Sequence, residues 1–292
     1  KKIIVKLKQW SAPAKGGVEL PGNLSIVTPR MYPGFRKQWQ RNLNAKWIAG
    51  KVNDTLGPRK PNEKRIAITT IPVTADLVGK LDVDRWVYYC VDDFSVWPGL
   101  DGGVMRDMEQ LQVQRVDACI AAGEQLAGRL SDMGKDAVVV THGIDLAHWQ
   151  NPQRSPQTPS LAETEPGHAK VVQNDADLSW AQSPRPIFLF WGLIDARLDT
   201  RWCTALVADT SRQGTLVLVG PSQSPPQALM DAKRILMPGA MDYTDLPMAA
   251  ATADVLVMPY DDLPVARAMQ PLKFKEYLAT GKPVVVRKLP GT

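Results

Sequence analysis

Short apolar runs rich in β-branched residues recur along the chain and alternate with stretches of helical periodicity. Continuous apolar runs of this kind are typical of strands buried on both faces of a sheet. The predicted strands are Ile3–Val5, Leu24–Val27, Ile66–Thr69, Trp86–Val91, Ala118–Ala121, Ala137–Val140, Ile187–Trp191, Thr215–Val219, Val255–Met258 and Val284–Val286. The predicted helices cover residues 35–52, 103–115, 124–133, 199–212, 246–251 and 271–280. This alternation predicts an α/β protein with parallel sheets that helices cover on both faces.

The alternation forms two blocks, and the stretch between them is rich in Pro, Gln, Ser and Asn and has no periodicity. A chain of 292 residues is also long enough for two domains. We expect a Rossmann-like domain over residues 1–148, a linker or surface loop over 149–185, and a second Rossmann-like domain over 186–292. In such folds ligands bind beyond the carboxyl ends of the strands.

Several classes of protein are disfavoured by composition. No apolar run approaches the ~18 residues that a membrane span requires. Lys1 and Lys2 are followed by a short strand-like run and then by polar sequence, which does not match a signal peptide. The three isolated cysteines form neither a disulfide framework nor a CxxC metal or redox motif. A reducing cytoplasm is therefore expected.

The charge is distributed unevenly along the sequence. Residues 1–65 carry 15 Lys and Arg against Glu19, Asp54 and Glu63, a net charge of +12, whereas the rest of the chain has a net charge of −7. This asymmetry predicts a basic surface that meets an anionic partner. Nucleic acid is not the expected partner, because no recognition motif accompanies the charge.

The predicted helix over residues 35–52 combines this positive charge with an apolar stripe of i, i+4 spacing. The stripe consists of Phe35, Trp39, Leu43 and Trp47, with Arg36, Lys37, Arg41, Lys46 and Lys51 interspersed. A basic amphipathic helix with tryptophans is typical of proteins that lie on an anionic membrane surface. The alternative is that the stripe packs on the domain's own sheet while the cations are merely solvated.

The strongest candidate chemistry lies in the last predicted helix. Pro271 suits a first helical turn, where its missing N–H group costs nothing. The free N–H groups and the helix dipole at that terminus suit a phosphate, and Lys273 adds a mobile cation. Glu276, one turn further along, can accept hydrogen bonds from ribose hydroxyls. Together these residues predict a site for a nucleotide diphosphate.

Segments in both blocks resemble those of one known family, the retaining GT-B glycosyltransferases of the group 1 (family four) type. The segment from Pro271 to Ala279 and the Gly281-Lys282-Pro283 turn are similar to the donor-binding half of these enzymes. Phe188–Gly192 with Asp195, Arg197 and Asp199 resembles their phosphate loop, and Leu216–Gly220 resembles the next strand. In the first block, residues 88–94 and 141–145 resemble a strand-end motif and a domain-closing motif.

The resemblance implies a GT-B fold, in which two doubly wound Rossmann-like domains face a cleft, with the chain incomplete at both ends. It also implies transfer of a sugar from a UDP- or GDP-sugar to a polysaccharide or lipid-linked acceptor, with retention of configuration. Such enzymes build bacterial polysaccharides and glycolipids, so peripheral binding at the inner membrane face is expected. The nucleotide sugar is the substrate, and neither a cofactor nor a metal is expected.

The resemblance also implies roles for individual residues. Arg197 and Lys273 would bind the diphosphate, Glu276 the ribose, and residues 237–239 would border the base. The predicted donor set is Gly192, Arg197, Gly220, Pro238, Gly239, Pro271, Leu272, Lys273 and Glu276, with His142 as a further candidate. Asp92 and Asp93 are the predicted catalytic residues. Asp92 stands where many relatives place a His, and it would position the acceptor hydroxyl.

Alternatives stay open at this point. Asp92 and Asp93 are also the residue types that cap a turn at a strand end. A nucleotide-sugar epimerase of the same fold would need no acceptor. A non-catalytic nucleotide-sugar-binding protein is the third possibility, because Ala268 stands where many relatives carry a Glu, eight residues before Glu276.

Overall fold

A computed structural model describes residues 22–150, 178–208 and 213–292. The chain divides into two compact units, Lys1–Thr141 and His142–Thr292. The predicted strand Ile3–Val5, residues 151–177 of the predicted linker and the last four residues of the predicted helix 199–212 lie outside the described residues. The end of the predicted linker belongs to the second unit, since Trp180 in the 3₁₀ turn Ser179–Gln182 is buried in that unit's core.

The first unit is built on a four-stranded parallel sheet with strand order β1-β2-β3-β4. Its strands are β1 (Ile66–Thr69), β2 (Arg85–Cys90), β3 (Ala118–Ala121) and β4 (Ala137–Val139). Its helices are α1 (Gln38–Leu56), α2 (Gly102–Arg115) and α3 (Glu124–Asp132), with 3₁₀ turns at Pro72–Leu77 and Phe94–Val96.

The core of the first unit lies on one face of this sheet. Alternate residues of β2, among them Tyr88 and Cys90, are fully buried on that face. On the opposite face Ile66 and Ile68 of β1 and Val138 of β4 are exposed. Within the described residues, this unit therefore has one covered face, whereas the sequence predicts that helices cover both.

The second unit contains a five-stranded parallel sheet with strand order β7-β6-β5-β8-β9. Its strands are β5 (Ile187–Trp191), β6 (Thr215–Val219), β7 (Ile235–Gly239), β8 (Val255–Met258) and β9 (Val284–Val286). Its helices are α4 (Leu146–Gln150), α5 (Thr200–Ala208), α6 (Gln227–Asp231), α7 (Leu246–Thr252), α8 (Pro264–Ala268) and α9 (Leu272–Ala279).

The direction of strand addition reverses beside β5, because β6 and β7 lie on one side of it and β8 and β9 on the other. Every residue of β6 is buried, as a strand inside a two-sided α/β layer should be. The carboxyl end of β5 is consequently a topological switch point, the place where such sheets bind ligands.

The predicted strand Leu24–Val27 is wrong. The segment has no strand structure, and Leu24 and Ile26 are exposed. Strand β7 and the short helices α4, α6 and α8 were not predicted. The remaining predicted strands within the described residues are confirmed to within one residue at each end.

Cys90, Cys119 and Cys203 are free and buried. None of the described helices combines the length and hydropathy needed to cross a bilayer.

Candidate functional site

Three glycines lie side by side where β5, β6 and β7 end. The N–H group of Gly192 donates to the Val219 carbonyl (2.8 Å), and that of Gly220 donates to the Gly239 carbonyl (2.7 Å). Gly192 (φ 141°) and Gly220 (φ 144°) adopt a backbone conformation that favours glycine. A Cβ atom on Gly220 would overlap the carbonyl oxygen of Gly192. The two strand ends therefore approach more closely than side chains would allow, leaving bare backbone at the switch point.

Lys273 in the first turn of α9 reaches this glycine row. A Cβ atom on Gly192 would lie 2.8 Å from the Lys273 amino nitrogen, so the side chain rests directly on the glycine. Helix α9 begins at Leu272, with Pro271 as its N-cap and Leu272 exposed. Among the described residues Lys273 makes no ion pair. The structure thus brings together a helix N-terminus, a cation and glycine backbone, which is a favourable setting for a phosphate.

Glu276 lies one turn further along α9, and only 5% of its surface is exposed. Its Oε2 atom accepts a hydrogen bond of 3.1 Å from the indole Nε1 of Trp191, the last residue of β5. Burial raises the pKa of the Glu276 carboxyl, while the Trp191 hydrogen bond and the charge of Lys273 act in the opposite direction. The predicted ribose-binding carboxylate therefore lies beside the glycine row, held by an aromatic residue.

An aromatic cluster surrounds this carboxylate, and we define it as Trp149, Trp191, Tyr243 and Tyr277. Trp149 stacks on Trp191 with ring centroids 5.2 Å apart, and Tyr277 meets Trp191 edge-on at 4.3 Å. Trp149 belongs to α4, which packs against α7 and α9. Periodicity could not indicate this cluster, because its members come from four separate segments of the chain.

Arg197 lies in the loop after β5, and its side chain is buried and paired. Its Nε atom donates to both carboxylate oxygens of Asp195 (3.0 Å each), and its Nη2 lies 2.9 Å from Asp195 Oδ2. The guanidinium also sits over the Tyr260 ring, 5.5 Å from the ring centroid. A diphosphate would have to share this guanidinium with Asp195, and its predicted phosphate contact stays a prediction.

His142, the further candidate, lies at the start of the second unit. The amino group of Lys275 in α9 donates to the His142 carbonyl oxygen (2.6 Å), so the backbone of His142 is tied to the helix that carries Glu276. Burial lowers the pKa of the His142 imidazole, and the nearby positive charge of Lys275 adds to this effect. The predicted role of His142 itself stays a prediction.

The predicted catalytic pair, Asp92 and Asp93, belongs to the first unit, at the end of β2. Asp93 Oδ1 accepts hydrogen bonds from the Ser95 backbone N–H (2.9 Å) and hydroxyl (2.6 Å), which caps the turn Phe94–Val96. Asp93 Oδ2 forms an ion pair with Arg129. The turn-capping interpretation is therefore confirmed for Asp93, whose two oxygens both have partners.

Arg129 also pairs with Glu109 of α2, whose side chain is 1% exposed. Glu109 accepts a 2.8 Å hydrogen bond from the Tyr88 hydroxyl in β2. The buried Glu109 side chain therefore links α2 to α3 through Arg129, and Arg129 in turn pairs with Asp93 in the loop after β2.

The buried side of α1 carries small and polar side chains rather than the predicted apolar stripe. Asn44, Ala45 and Ala49 are buried, whereas Trp39 is 52% exposed and Trp47 is 37% exposed. The tryptophans therefore do not form the contact with the sheet that one interpretation predicted. Among the interspersed cations, Arg36 pairs with Asp101 and Arg41 with Asp76, while Lys46 and Lys51 are exposed.

Within the described residues, no group of three or more His, Cys, Asp or Glu side chains is arranged to hold a metal ion. The expectation that no metal or cofactor is required stays a prediction.

Residues 185–292 match the family model described as Glycosyl transferases group 1. TuaH of Bacillus subtilis, assigned as a glycosyltransferase of teichuronic acid biosynthesis, is 35% identical over 263 residues, which cover 82% of this chain and 59% of TuaH. The family-model match in the second unit and the similarity to TuaH over most of the chain are both similarities to glycosyltransferases.

Two solved structures share the fold. HepE of Anabaena in complex with UDP-glucose has a TM-score of 0.59 at 17% identity, covering 84% of this chain and 64% of HepE. Sucrose-phosphate synthase from Thermosynechococcus elongatus has a TM-score of 0.61 at 15% identity, covering 90% of this chain and 65% of the synthase. The chain thus spans less than two thirds of the length of these relatives. The predicted GT-B fold and the resemblance to group 1 glycosyltransferases are confirmed.

Proposed function

We propose that this chain, which resembles the group 1 glycosyltransferases, transfers a sugar from a UDP- or GDP-sugar to a polysaccharide or lipid-linked acceptor. The observation that carries the proposal is the meeting of Gly192, Lys273 and Glu276 at the switch point of the second sheet. The order of these groups along the site corresponds to the order of phosphates and ribose in a nucleoside diphosphate. The glycine backbone and Lys273 face the phosphates, and Glu276 accepts hydrogen bonds from the ribose.

The names of the relatives support the same class of donor and acceptor. HepE was solved with UDP-glucose, which makes a UDP-sugar the first donor to test. TuaH is assigned to the synthesis of teichuronic acid, which favours a polysaccharide acceptor. In this proposal Pro238 and Gly239 at the end of β7 border the base.

Transfer with retention would proceed by attack of the acceptor hydroxyl on the face from which the diphosphate leaves. A diphosphate oxygen takes the acceptor proton as the bond to the leaving group breaks, so no separate base is needed. Lys273 and the α9 terminus stabilise the charge that develops on the diphosphate. Asp92, which follows β2 in the first unit, is the residue we propose for positioning the acceptor hydroxyl.

Calorimetric titration with UDP and GDP tests the donor site. The Lys273→Ala variant is expected to bind the diphosphate about tenfold more weakly, since it loses one charge-assisted contact. Lys233→Ala is the matched control. Lys233 is an exposed lysine of the same unit that precedes β7, so it lies near the amino end of this strand, whereas Gly239 is at the carboxyl end. The proposal fails if neither nucleotide binds, or if the two variants behave alike.

Product analysis separates the alternatives. A transferase converts the donor only when an acceptor is present, whereas an epimerase changes the sugar of a UDP-sugar without an acceptor. A binding protein leaves the donor unchanged, and Ala268 in α8 is the feature that favours this third outcome.

We also propose that α1 contacts the anionic cytoplasmic face of a membrane. Trp39 and Trp47 are exposed eight residues apart on one helix, and the exposed Lys46 lies beside them on the same face. Replacing both tryptophans with Ser is expected to weaken binding to vesicles containing phosphatidylglycerol by about tenfold or more. The control variant is Leu56→Ser, which removes an exposed apolar side chain from another face of α1. Equal binding by both variants would contradict the proposal.

A further inference from the structure

We infer that Trp191 is a positioning residue for ribose recognition, acting through its hydrogen bond to Glu276. This inference rests on the proposed function, because it concerns how the donor site holds a nucleotide. The indole Nε1 lies 3.1 Å from Glu276 Oε2, and both side chains are almost completely buried. Nothing in the sequence pattern distinguishes Trp191 from the other apolar residues of β5.

The indole is fixed from several directions. Its own backbone N–H donates to the Tyr277 hydroxyl oxygen (3.3 Å), and that hydroxyl donates to the Val257 carbonyl in β8 (3.3 Å). Trp149 stacks on one side of the indole at an interplanar angle of 9°, and Tyr277 meets it at 69°. Trp191 also belongs to the central strand of the sheet. Its indole Nε1–H group is therefore held in place as a hydrogen-bond donor to Glu276.

The carboxylate it contacts has fewer constraints of its own. Glu276 is in the middle of a helix of eight residues, and a glutamate side chain has three rotatable bonds. Among the described residues, the Trp191 indole is the one side chain that donates a hydrogen bond to this carboxylate. The bond to Oε2 holds the carboxylate in one orientation, and Oε1 has no hydrogen bond within the described part of the chain. We therefore assign Oε1 as the atom that receives a ribose hydroxyl.

A second role for Trp191 must be separated from this one. A tryptophan in a core also supports its surroundings simply by filling space. Loss of packing would weaken the binding of every nucleotide to a similar extent. Loss of carboxylate positioning would weaken only the part of the affinity that depends on ribose hydroxyls.

The test compares UDP with 2′-deoxy-UDP and 3′-deoxy-UDP, titrated calorimetrically into the whole chain. The unaltered protein is expected to prefer UDP by about tenfold over at least one deoxy analogue, as for a hydrogen bond to a charged group. The Trp191→Phe variant keeps an aromatic ring but lacks the N–H donor. Its preference is expected to fall to about twofold. The control is Trp180→Phe, which alters a buried tryptophan of the same core and leaves the Trp191–Glu276 hydrogen bond in place, so it should keep the full preference.

A second substitution guards against misfolding of Trp191→Phe. Benzothienylalanine at position 191 keeps the shape of the double ring and replaces the N–H group with sulfur, so it alters only the donor. Reduced preference with this residue supports the inference, and unchanged preference overturns it. If the unaltered protein binds UDP but does not distinguish it from either deoxy analogue, Glu276 does not read the ribose and the inference is wrong. If neither UDP nor GDP binds, the proposed function is wrong, and the inference that rests on it is wrong as well.

Discussion

Glu276 is a carboxylate that the fold buries at a cost in stability. Burial raises its pKa, so between the ordinary and the raised pKa the folded protein holds a proton that the unfolded chain releases. The contribution of Glu276 to stability is therefore greatest below the ordinary pKa and declines as the pH rises through the raised one.

The Glu276→Gln variant is accordingly expected to gain stability relative to the unaltered protein as the pH increases from 4 to 8, because glutamine carries no charge to bury. Urea unfolding at the two pH values measures this gain. The same variant should bind UDP more weakly at pH 8. If the stability of Glu276→Gln relative to the unaltered protein falls between pH 4 and pH 8, the predicted direction of the effect is wrong.

Gly220 and Gly50 make a second residue-scale comparison. Gly220→Ala is expected to lower the free energy of unfolding by ~3 kcal/mol or more, because the Cβ atom would overlap the Gly192 carbonyl at a strained φ of 144°. Gly50→Ala lies within α1 with nothing within 4 Å of its Cβ position, and it should gain ~0.5–1 kcal/mol. Denaturant unfolding of both variants measures the two effects. Equal changes would show that the close approach of β5 and β6 is unimportant.

The sequence was sufficient to predict Lys273 and Glu276 as a pair, because both lie within one turn of a single helix. It was insufficient for Trp191, whose partner is 85 residues away in the chain. It also indicated Arg197 as a cation at the phosphate loop, but the partner that holds it, Asp195, could be identified only from the side-chain geometry. Hydrophobic periodicity predicts helices and strands, but it does not predict which side chains the fold brings into contact.

At the scale of elements, Arg129 joins Asp93 and Glu109, which form no other ion pair among the described residues. Arg129→Met is expected to lower the free energy of unfolding by ~3–5 kcal/mol, because Glu109 would remain buried as an unpaired charge. The double variant with Glu109→Gln should recover part of this loss, since the uncompensated charge is gone.

Urea unfolding monitored by far-ultraviolet circular dichroism measures both variants. If the double variant is less stable than Arg129→Met alone, the loss arises from the Asp93 contact rather than from the buried Glu109.

Strands that consist of continuous apolar residues were predicted accurately, because a strand buried on both faces has apolar residues at successive positions. Strand β7 was missed for the opposite reason. It contains Pro238 and Gly239, which disfavour a strand, and an edge position tolerates them because the outer side of the strand has no pairing requirement. The five-residue helices α4, α6 and α8 are too short to show a helical period.

At the scale of the whole molecule, the strong positive charge of residues 1–65 is partly neutralised by the fold. Four arginines of this segment pair with carboxylates that come later in the sequence: Arg36 with Asp101, Arg41 with Asp76, and Arg59 and Arg65 with Asp82. Net charge counted along the sequence therefore overstates the basic character of the first unit. Lys46 and Lys51 of α1 are exposed and form no ion pair within the described part of the chain, so they remain available to an anionic surface.

Nucleotide binding should affect the two units differently. Saturating UDP, at about 100 times its dissociation constant, is expected to stabilise the second unit by ~2.7 kcal/mol. Hydrogen–deuterium exchange should slow at the ends of β5, β6 and β7 and at the start of α9. Protection confined to the first unit would place the nucleotide elsewhere and contradict the donor assignment.

The burial of all three thiols makes the chain suitable for labelling with a donor and an acceptor dye at introduced cysteines. Burial raises the pKa of Cys203 to about 12 and also raises the pKa of Cys90 and Cys119, so the native protein presents little thiolate to a maleimide. Cysteines introduced at the exposed positions Lys46 and Lys233 would react first, one in each unit. Energy transfer between a donor and an acceptor dye at these two positions would then report directly whether nucleotide binding changes the distance between the units.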